Sequence, residues 1–143
     1  MREKTQKPRT PPEWRLQAAQ VKALRRAKQA GWPIRVEGDM NSGRRTLKEQ
    51  GIAAATGINP GAADLRIFLP GGRLLMTENK TGKGNLSDEQ IAAHAEFKQL
   101  GHEVVVIQTD SEEEAADTLM ALVSQRLGLP IPHWAPPANG AAG

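Results

Sequence analysis

The sequence of 143 residues contains no cysteine, which excludes a disulfide framework and a zinc site built from thiolates. It has no apolar run near the ~20 residues that a membrane-spanning helix needs. Its first nine residues are polar and basic and lack the apolar segment of a signal peptide. Its three histidines are scattered without the spacing of metal ligands. We therefore expect a cytoplasmic protein that has no membrane partner.

The length of the chain predicts a single domain with one core. We expect a flexible basic N-terminal arm at residues 1–10, a folded domain at residues 11–128, and a tail rich in proline, alanine and glycine at residues 129–143.

Positive charge is concentrated in the first part of the chain. Residues 1–50 carry a net charge of +8, whereas the remaining 93 residues carry −5. A basic half favours a polyanionic partner, because lysine and arginine release the counterions that surround nucleic acids. A solvated surface is the alternative explanation of the same charge.

The apolar pattern predicts alternating helices and strands. The first helix starts with Thr10 as N-cap and prolines in its first turn, and ends near Ala30. The later elements are a strand at 34–37, a basic helix to about 50, a small-residue loop at 53–60, a β-hairpin at 64–80, a helix from 87, a strand at 103–108 and a final helix. This order predicts an α/β fold in which helices flank a mixed central sheet. Its last strand is expected to be parallel and buried on both faces.

The hairpin brings ionisable side chains together. Two apolar runs flank a Pro-Gly-Gly break. With both glycines at the tip, Leu65 lies opposite Glu78 and Asp64 lies opposite Asn79, so Asp64 is beside Glu78. Side chains alternate along a strand, so Lys80 shares the face of Glu78. Two carboxylates with a lysine suit phosphodiester chemistry, because Mg²⁺ takes one or two carboxylates and leaves positions for water and phosphate.

The spacing of these residues resembles the PD-(D/E)xK nuclease superfamily, and the surrounding motifs resemble its VRR-NUC branch. The motifs are Gly61-Ala62-Ala63-Asp64-Leu65, Glu78-Asn79-Lys80 and a Lys80-to-Gln90 segment that contains Gly84, Leu86 and Ser87. The branch usually has proline where this chain has Ala63, and that proline supplies no ligand. The resemblance covers roughly residues 13–119 and implies a restriction-endonuclease-like fold.

The resemblance also implies an activity, that of an endonuclease dependent on Mg²⁺ or Mn²⁺. Asp64 and Glu78 would hold the metal, with Glu13 as a third ligand or a support through water. Lys80 would position the nucleophile and Gln90 would assist. Stand-alone members of the branch are often encoded by phages, look like homodimers, and are associated with branched DNA such as Holliday junctions.

Several residues keep two interpretations. Glu13 suits a metal site or the dipole at a helix start, and Gln90 suits catalysis or a capping box with Ser87. For His94, a hydrogen-bonded role in the core is favoured over a role in the site. The candidate contacts to DNA phosphates are Arg44, Arg45, Lys48 and Lys83, the last in a flexible link. Two alternatives to a DNA endonuclease are a non-catalytic nucleic-acid-binding module on the same fold and an RNase.

Overall fold

The structure is a computed structural model that describes residues 10–39, 46–59 and 61–133. Its helices are α1 (Glu13–Gln29), α2 (Leu47–Ala55), α3 (Asp88–Gln99) and α4 (Glu112–Leu127). Its strands are β1 (Arg35–Gly38), β2 (Leu65–Leu69), β3 (Arg73–Thr81) and β4 (Val104–Thr109). The strands form one sheet in the order β1-β2-β3-β4, antiparallel except for the parallel pair β3–β4. The predicted mixed α/β class and the parallel last strand are confirmed.

The core lies between one face of the sheet and the helices α1 and α4. Leu24 and Ala27 of α1 and Leu119 and Val123 of α4 are buried there against Ile67 of β2. The opposite face of the sheet is covered in part by α3, none of whose residues is fully buried. Because side chains alternate along a strand, Glu78 and Asn79 of β3 point to opposite sides of the sheet.

None of the helices in the described ranges has both the length and the apolar character of a membrane span.

The predicted register of the hairpin is wrong by one residue. The tip is a three-residue turn, Pro70–Gly72, and Leu65 pairs with Thr77 rather than Glu78. Gly71 and Gly72 both have positive φ, which glycine adopts without strain, so the chain closes over three residues. Continued by one residue, this register places Asp64 opposite Glu78 instead of Asn79. The prediction that Asp64 and Glu78 are neighbours is therefore strengthened.

Three further predictions of local structure are corrected. Helix α1 is flanked by Pro12 without a side-chain cap, so Thr10 is not its N-cap. Helix α2 extends to Ala55, so the predicted loop from residue 53 is helical in its first three positions. Strand β4 is an edge strand of the described sheet and is not buried on both faces, since Val106 is 40% exposed.

The buried stripe of α1 differs from the one that the apolar spacing predicts, which runs through Gln17, Val21 and Leu24, with Glu13 one turn before it. The buried residues of α1 are Leu16, Gln20, Leu24 and Ala27. Gln17 lies on the adjacent side of the helix and is only half-buried. Glu13 consequently continues the half-buried side of α1, which faces the end of the hairpin, and not the core side.

Candidate active site

Asp64 and Glu78 meet at the open end of the hairpin. Asp64 directly precedes β2, and the backbone N–H of Asn79 donates to its Oδ2 at 2.7 Å. That hydrogen bond ties the Asp64 carboxylate to β3 beside Glu78, whose side chain is 1% exposed and hydrogen-bonded to Asp64. The predicted carboxylate pair is therefore present.

Burial is the main reason that the pKa of Glu78 rises from 4.5 to about 9. The hydrogen bond with Asp64 and the negative charges of Asp64 and Glu13 raise this pKa further, whereas the positive charge of Lys80 lowers it. At neutral pH Glu78 is therefore protonated.

Lys80 completes the predicted group on the same face of β3. Its residue is only 9% exposed, and its Nζ lies 3.8 Å from Oε1 of Glu13 at the start of α1. The structure thus brings Glu13, Asp64, Glu78 and Lys80 to one place. The ion pair also gives Glu13 a defined partner other than the helix dipole.

The backbone of Asp64 is held by residues from two other elements. Its carbonyl oxygen accepts from the backbone N–H of Asp39 at 2.9 Å and from Nε2 of Gln17 at 3.3 Å. Gly38 permits this approach, because a Cβ on it would lie 2.9 Å from Nε2 of Gln17. The end of β1 and helix α1 therefore fix the position of the carboxylate that begins β2.

Gln90 joins the site while also capping α3. Its Oε1 accepts from the backbone N–H of Ser87 at 2.9 Å, and its own N–H donates to Oγ of Ser87 at 3.1 Å. The predicted capping box is confirmed. Gln90 also lines a groove with Glu13 and Asp64. Its capping role occupies Oε1 and leaves the Nε2 donor for other contacts.

His94 is closer to the site than the sequence suggested. Its Nε2 lies 3.4 Å from Oε1 of Glu78. Burial lowers the pKa of His94, as does the positive charge of Lys80, while the charge of Asp64 opposes both. Because burial also raises the pKa of Glu78, this contact at neutral pH joins two uncharged groups and is not an ion pair. The helical spacing of Gln90 and His94 was the available signal.

Gln20 is a supporting residue that the sequence analysis missed. It is fully buried and exchanges two hydrogen bonds with the side chain of Asn79, at 3.0 and 2.7 Å. Its Nε2 also donates to the carbonyl oxygen of Ala115 in α4 at 3.1 Å. This pair anchors β3 between the two residues, Glu78 and Lys80, that face the site. A glutamine inside an otherwise apolar stripe was the only hint.

None of the predicted phosphate contacts that the structure describes lines the groove at Asp64. Arg44 and Arg45 are outside the described residues. Lys48 is exposed in the first turn of α2, and Lys83 is exposed in the turn after β3. In that turn, Nε2 of Gln108 donates to the carbonyl oxygens of Gly82 and Gly84.

An open groove of about 620 Å³ is lined by the carboxylates of Asp64 and Glu13, whereas Glu78 and Lys80 do not line it. One side is the length of α1, from Glu13 to Gln29, and the far end is lined by Asp39, Asp64 and Gln90. In the part of the chain that the structure describes, no three histidine, aspartate or glutamate side chains are grouped closely enough to hold a metal ion. The site thus offers a carboxylate pair, with Glu13 nearby in an ion pair with Lys80.

Comparisons with models of protein families and with curated proteins give no match. Among solved structures, a VRR_NUC domain is similar to this chain with 24% sequence identity and a TM-score of 0.46. The match covers 76% of this chain and 94% of that domain. That domain carries the name of the branch that the sequence motifs resemble. At this similarity the match says nothing about activity.

Proposed function

We propose that this protein is a DNA endonuclease that hydrolyses phosphodiester bonds with Mg²⁺ or Mn²⁺. The observation that carries the proposal is the hydrogen-bonded pair of Asp64 and Glu78 beside the buried Lys80. Asp64 also lines the groove along α1. A buried acid pair is costly unless something compensates for its charge. A divalent cation bound between the carboxylates would do so.

The donor set fits Mg²⁺ or Mn²⁺. Mg²⁺ is usually held by one or two carboxylates together with waters and substrate phosphate oxygens, so a pair is sufficient. Asp64 and Glu78 would hold the ion, and Glu13 would support it through water or directly after release from Lys80. When bound, such an ion supplies Lewis-acid activation of water and stabilises the charge that develops on phosphorus.

The chain's own residues supply the positioning. The ammonium of Lys80 is directed into the site by burial and by Glu13, 3.8 Å away, so it would orient the nucleophilic water and offset phosphate charge. Nε2 of Gln90 would donate to the same water or to a phosphate oxygen, because only its Oε1 is used in capping. Gln17 and Asn79 keep Asp64 in place through its carbonyl and carboxylate oxygens.

The substrate that we propose is branched DNA, such as a Holliday junction, cut by a homodimer. This part of the proposal is supported by the resemblance to VRR-NUC proteins. A homodimer would also place one site on each of two strands. Arg44, Arg45, Lys48 and Lys83 remain candidate phosphate contacts. Light scattering in solution would return twice the chain mass of 15.5 kDa for a dimer, and 15.5 kDa would exclude it.

The test is cleavage of labelled four-way junction, 5′ flap, linear duplex and single-stranded DNA, with matched RNA. Each reaction contains Mg²⁺, Mn²⁺ or EDTA. Cutting should require metal and be lost in Lys80→Ala and in Asp64→Asn, an isosteric change that keeps an acceptor for the N–H of Asn79. Lys98→Ala, which removes an exposed lysine of α3, is the matched control and should cut normally. Binding without cutting by the wild type would instead indicate the non-catalytic module, and cutting of RNA alone an RNase.

A further inference from the structure

Helix α1 presents an aromatic and basic surface to the groove that ends at the carboxylates. Trp14 is 54% exposed and follows Glu13 directly. Lys22 and Arg25 are exposed further along the same helix, and all of these residues line the groove. None of these basic residues was a candidate for binding in the sequence analysis. The surface is therefore an unexplained feature that adjoins the proposed active site.

Trp14 has the properties of a stacking platform. A large aromatic side chain that is half exposed beside charged residues gains little from burial in the fold. The guanidinium of Arg15 lies over one face of the ring, 5.5 Å from its centre, so a stacking ligand would use the other face. The planar ligand that such a surface accepts, with negative charge attached to it, is a nucleobase on its phosphate backbone.

The charges of α1 match that ligand. Lys22 and Arg25 form no ion pair with any residue in the described ranges 10–39, 46–59 and 61–133. Lys22 follows Trp14 by a little over two helical turns on the same side of α1, which is about 12 Å along the helix axis. A stacked strand advances 3.4 Å per nucleotide, so the two contacts are separated by about three to four nucleotides.

We propose that the groove along α1 binds a single-stranded segment of DNA, with Trp14 stacked on an unpaired base next to the phosphate to be cut. Lys22 and Arg25 bind phosphates further along the same strand. A base inside a duplex has both faces covered by its neighbours, so an unpaired base is the form that can stack on Trp14. The proposal rests on the proposed nuclease activity for the position of the cut, and it gives Trp14 a positioning role.

Binding is measured first, in EDTA, so that the result does not depend on cleavage. The probes are a fluorescein-labelled single-stranded 20-mer and its fully paired duplex. Trp14→Ala should weaken binding of the single strand about tenfold and leave duplex binding unchanged, and Trp14→Phe should restore most of the loss. The slope of log K against the logarithm of the salt concentration reports the number of phosphate contacts, at about 0.7 for each contact on a single strand. The double variant Lys22→Ala/Arg25→Ala should make this slope shallower by about 1.4.

The matched control is Lys28→Ala, which removes an exposed lysine of the same helix that does not line this groove. It should change neither the affinity for single strands nor the salt dependence. A Trp14→Ala variant that binds the single strand as tightly as the wild type, or that weakens duplex binding equally, would overturn the proposal.

A scan of abasic positions along the 20-mer then tests the stacking itself. One abasic position should weaken binding by the wild type about as much as Trp14→Ala does, and it should cost the Trp14→Ala variant nothing further. Equal losses in both proteins would refute stacking. In metal-dependent cleavage, Trp14→Ala should raise KM and leave kcat near the wild-type value. If the wild type cuts nothing, the proposed function fails, while the binding results still decide the role of α1.

Discussion

The retained proton of Glu78 makes the stability of the metal-free protein depend on pH in a defined direction. The pKa of this carboxyl is about 9 in the folded protein and 4.5 as the reference for the unfolded chain. Between these values the folded state holds one proton that the unfolded state has released. The contribution to stability is therefore fully present below pH 4.5 and is lost as the pH rises through 9.

The size of the effect follows from one proton. While Glu78 is protonated only in the folded state, the free energy of unfolding falls by about 1.4 kcal/mol for each pH unit. Between pH 5.5 and 8.5 the loss is on the order of 4 kcal/mol, a large part of the 5–15 kcal/mol that stabilises a typical domain. Glu78→Gln places a neutral amide at the same position, so this part of the pH dependence should disappear.

Urea unfolding in EDTA at four pH values from 5.5 to 8.5 measures the effect. The difference in free energy of unfolding between the wild type and Glu78→Gln should change by about 1.4 kcal/mol per pH unit, because the contributions of other groups cancel. Glu113→Gln, which neutralises an exposed glutamate of α4, should keep the slope of the wild type. Parallel pH curves for the wild type and Glu78→Gln would refute the reasoning that Glu78 is protonated in the fold.

Three other perturbations test the site and its supports. Mg²⁺ bound as proposed would have to displace the proton of Glu78. Addition of 10 mM Mg²⁺ should therefore raise Tm more at pH 8.5 than at pH 6.5, and should not raise it in Glu78→Gln. A pH-independent shift of Tm would contradict this linkage. Gln20→Leu leaves the buried amide of Asn79 without its partner and should cost about 2–3 kcal/mol in urea unfolding, whereas adding Asn79→Leu should recover part of the loss. Gly61 has φ +81° and lies against the backbone at the start of α3, so Gly61→Ala should lower the free energy of unfolding by more than about 2 kcal/mol. Gly57 has φ +93° but open space around it, so Gly57→Ala should lower it by only about 1 kcal/mol.

The sequence was sufficient for the hairpin and its faces because both depend on a strong local pattern. Two apolar runs around Pro-Gly-Gly indicate an antiparallel pair, and strict alternation places Glu78 and Lys80 on one side. The register depends on whether the turn closes over two or three residues. That choice is made by the φ and ψ angles of the two glycines, which composition does not specify.

Features that depend on tertiary neighbours were beyond the sequence. A run of β-branched residues predicts a strand, but the exposure of Val106 is decided by β4 lying at the edge of the described sheet. Gln20 was missed because its role depends on hydrogen bonds with Asn79, which is distant in the sequence. His94 was assigned to the core because only the fold shows that α3 crosses over Glu78.

The arrangement around Glu78 argues for a cation site over a surface that only binds DNA. A binding module needs positive charge at the surface, and α1 supplies that without help from β3. A carboxyl that is 1% exposed, in contact with a second carboxyl, contributes nothing to such binding and destabilises the fold above neutral pH. Glutamine at this position would remove the cost and keep the hydrogen bonds. The cost is therefore best explained by a ligand that removes the proton of Glu78 and takes its place between the two carboxylates.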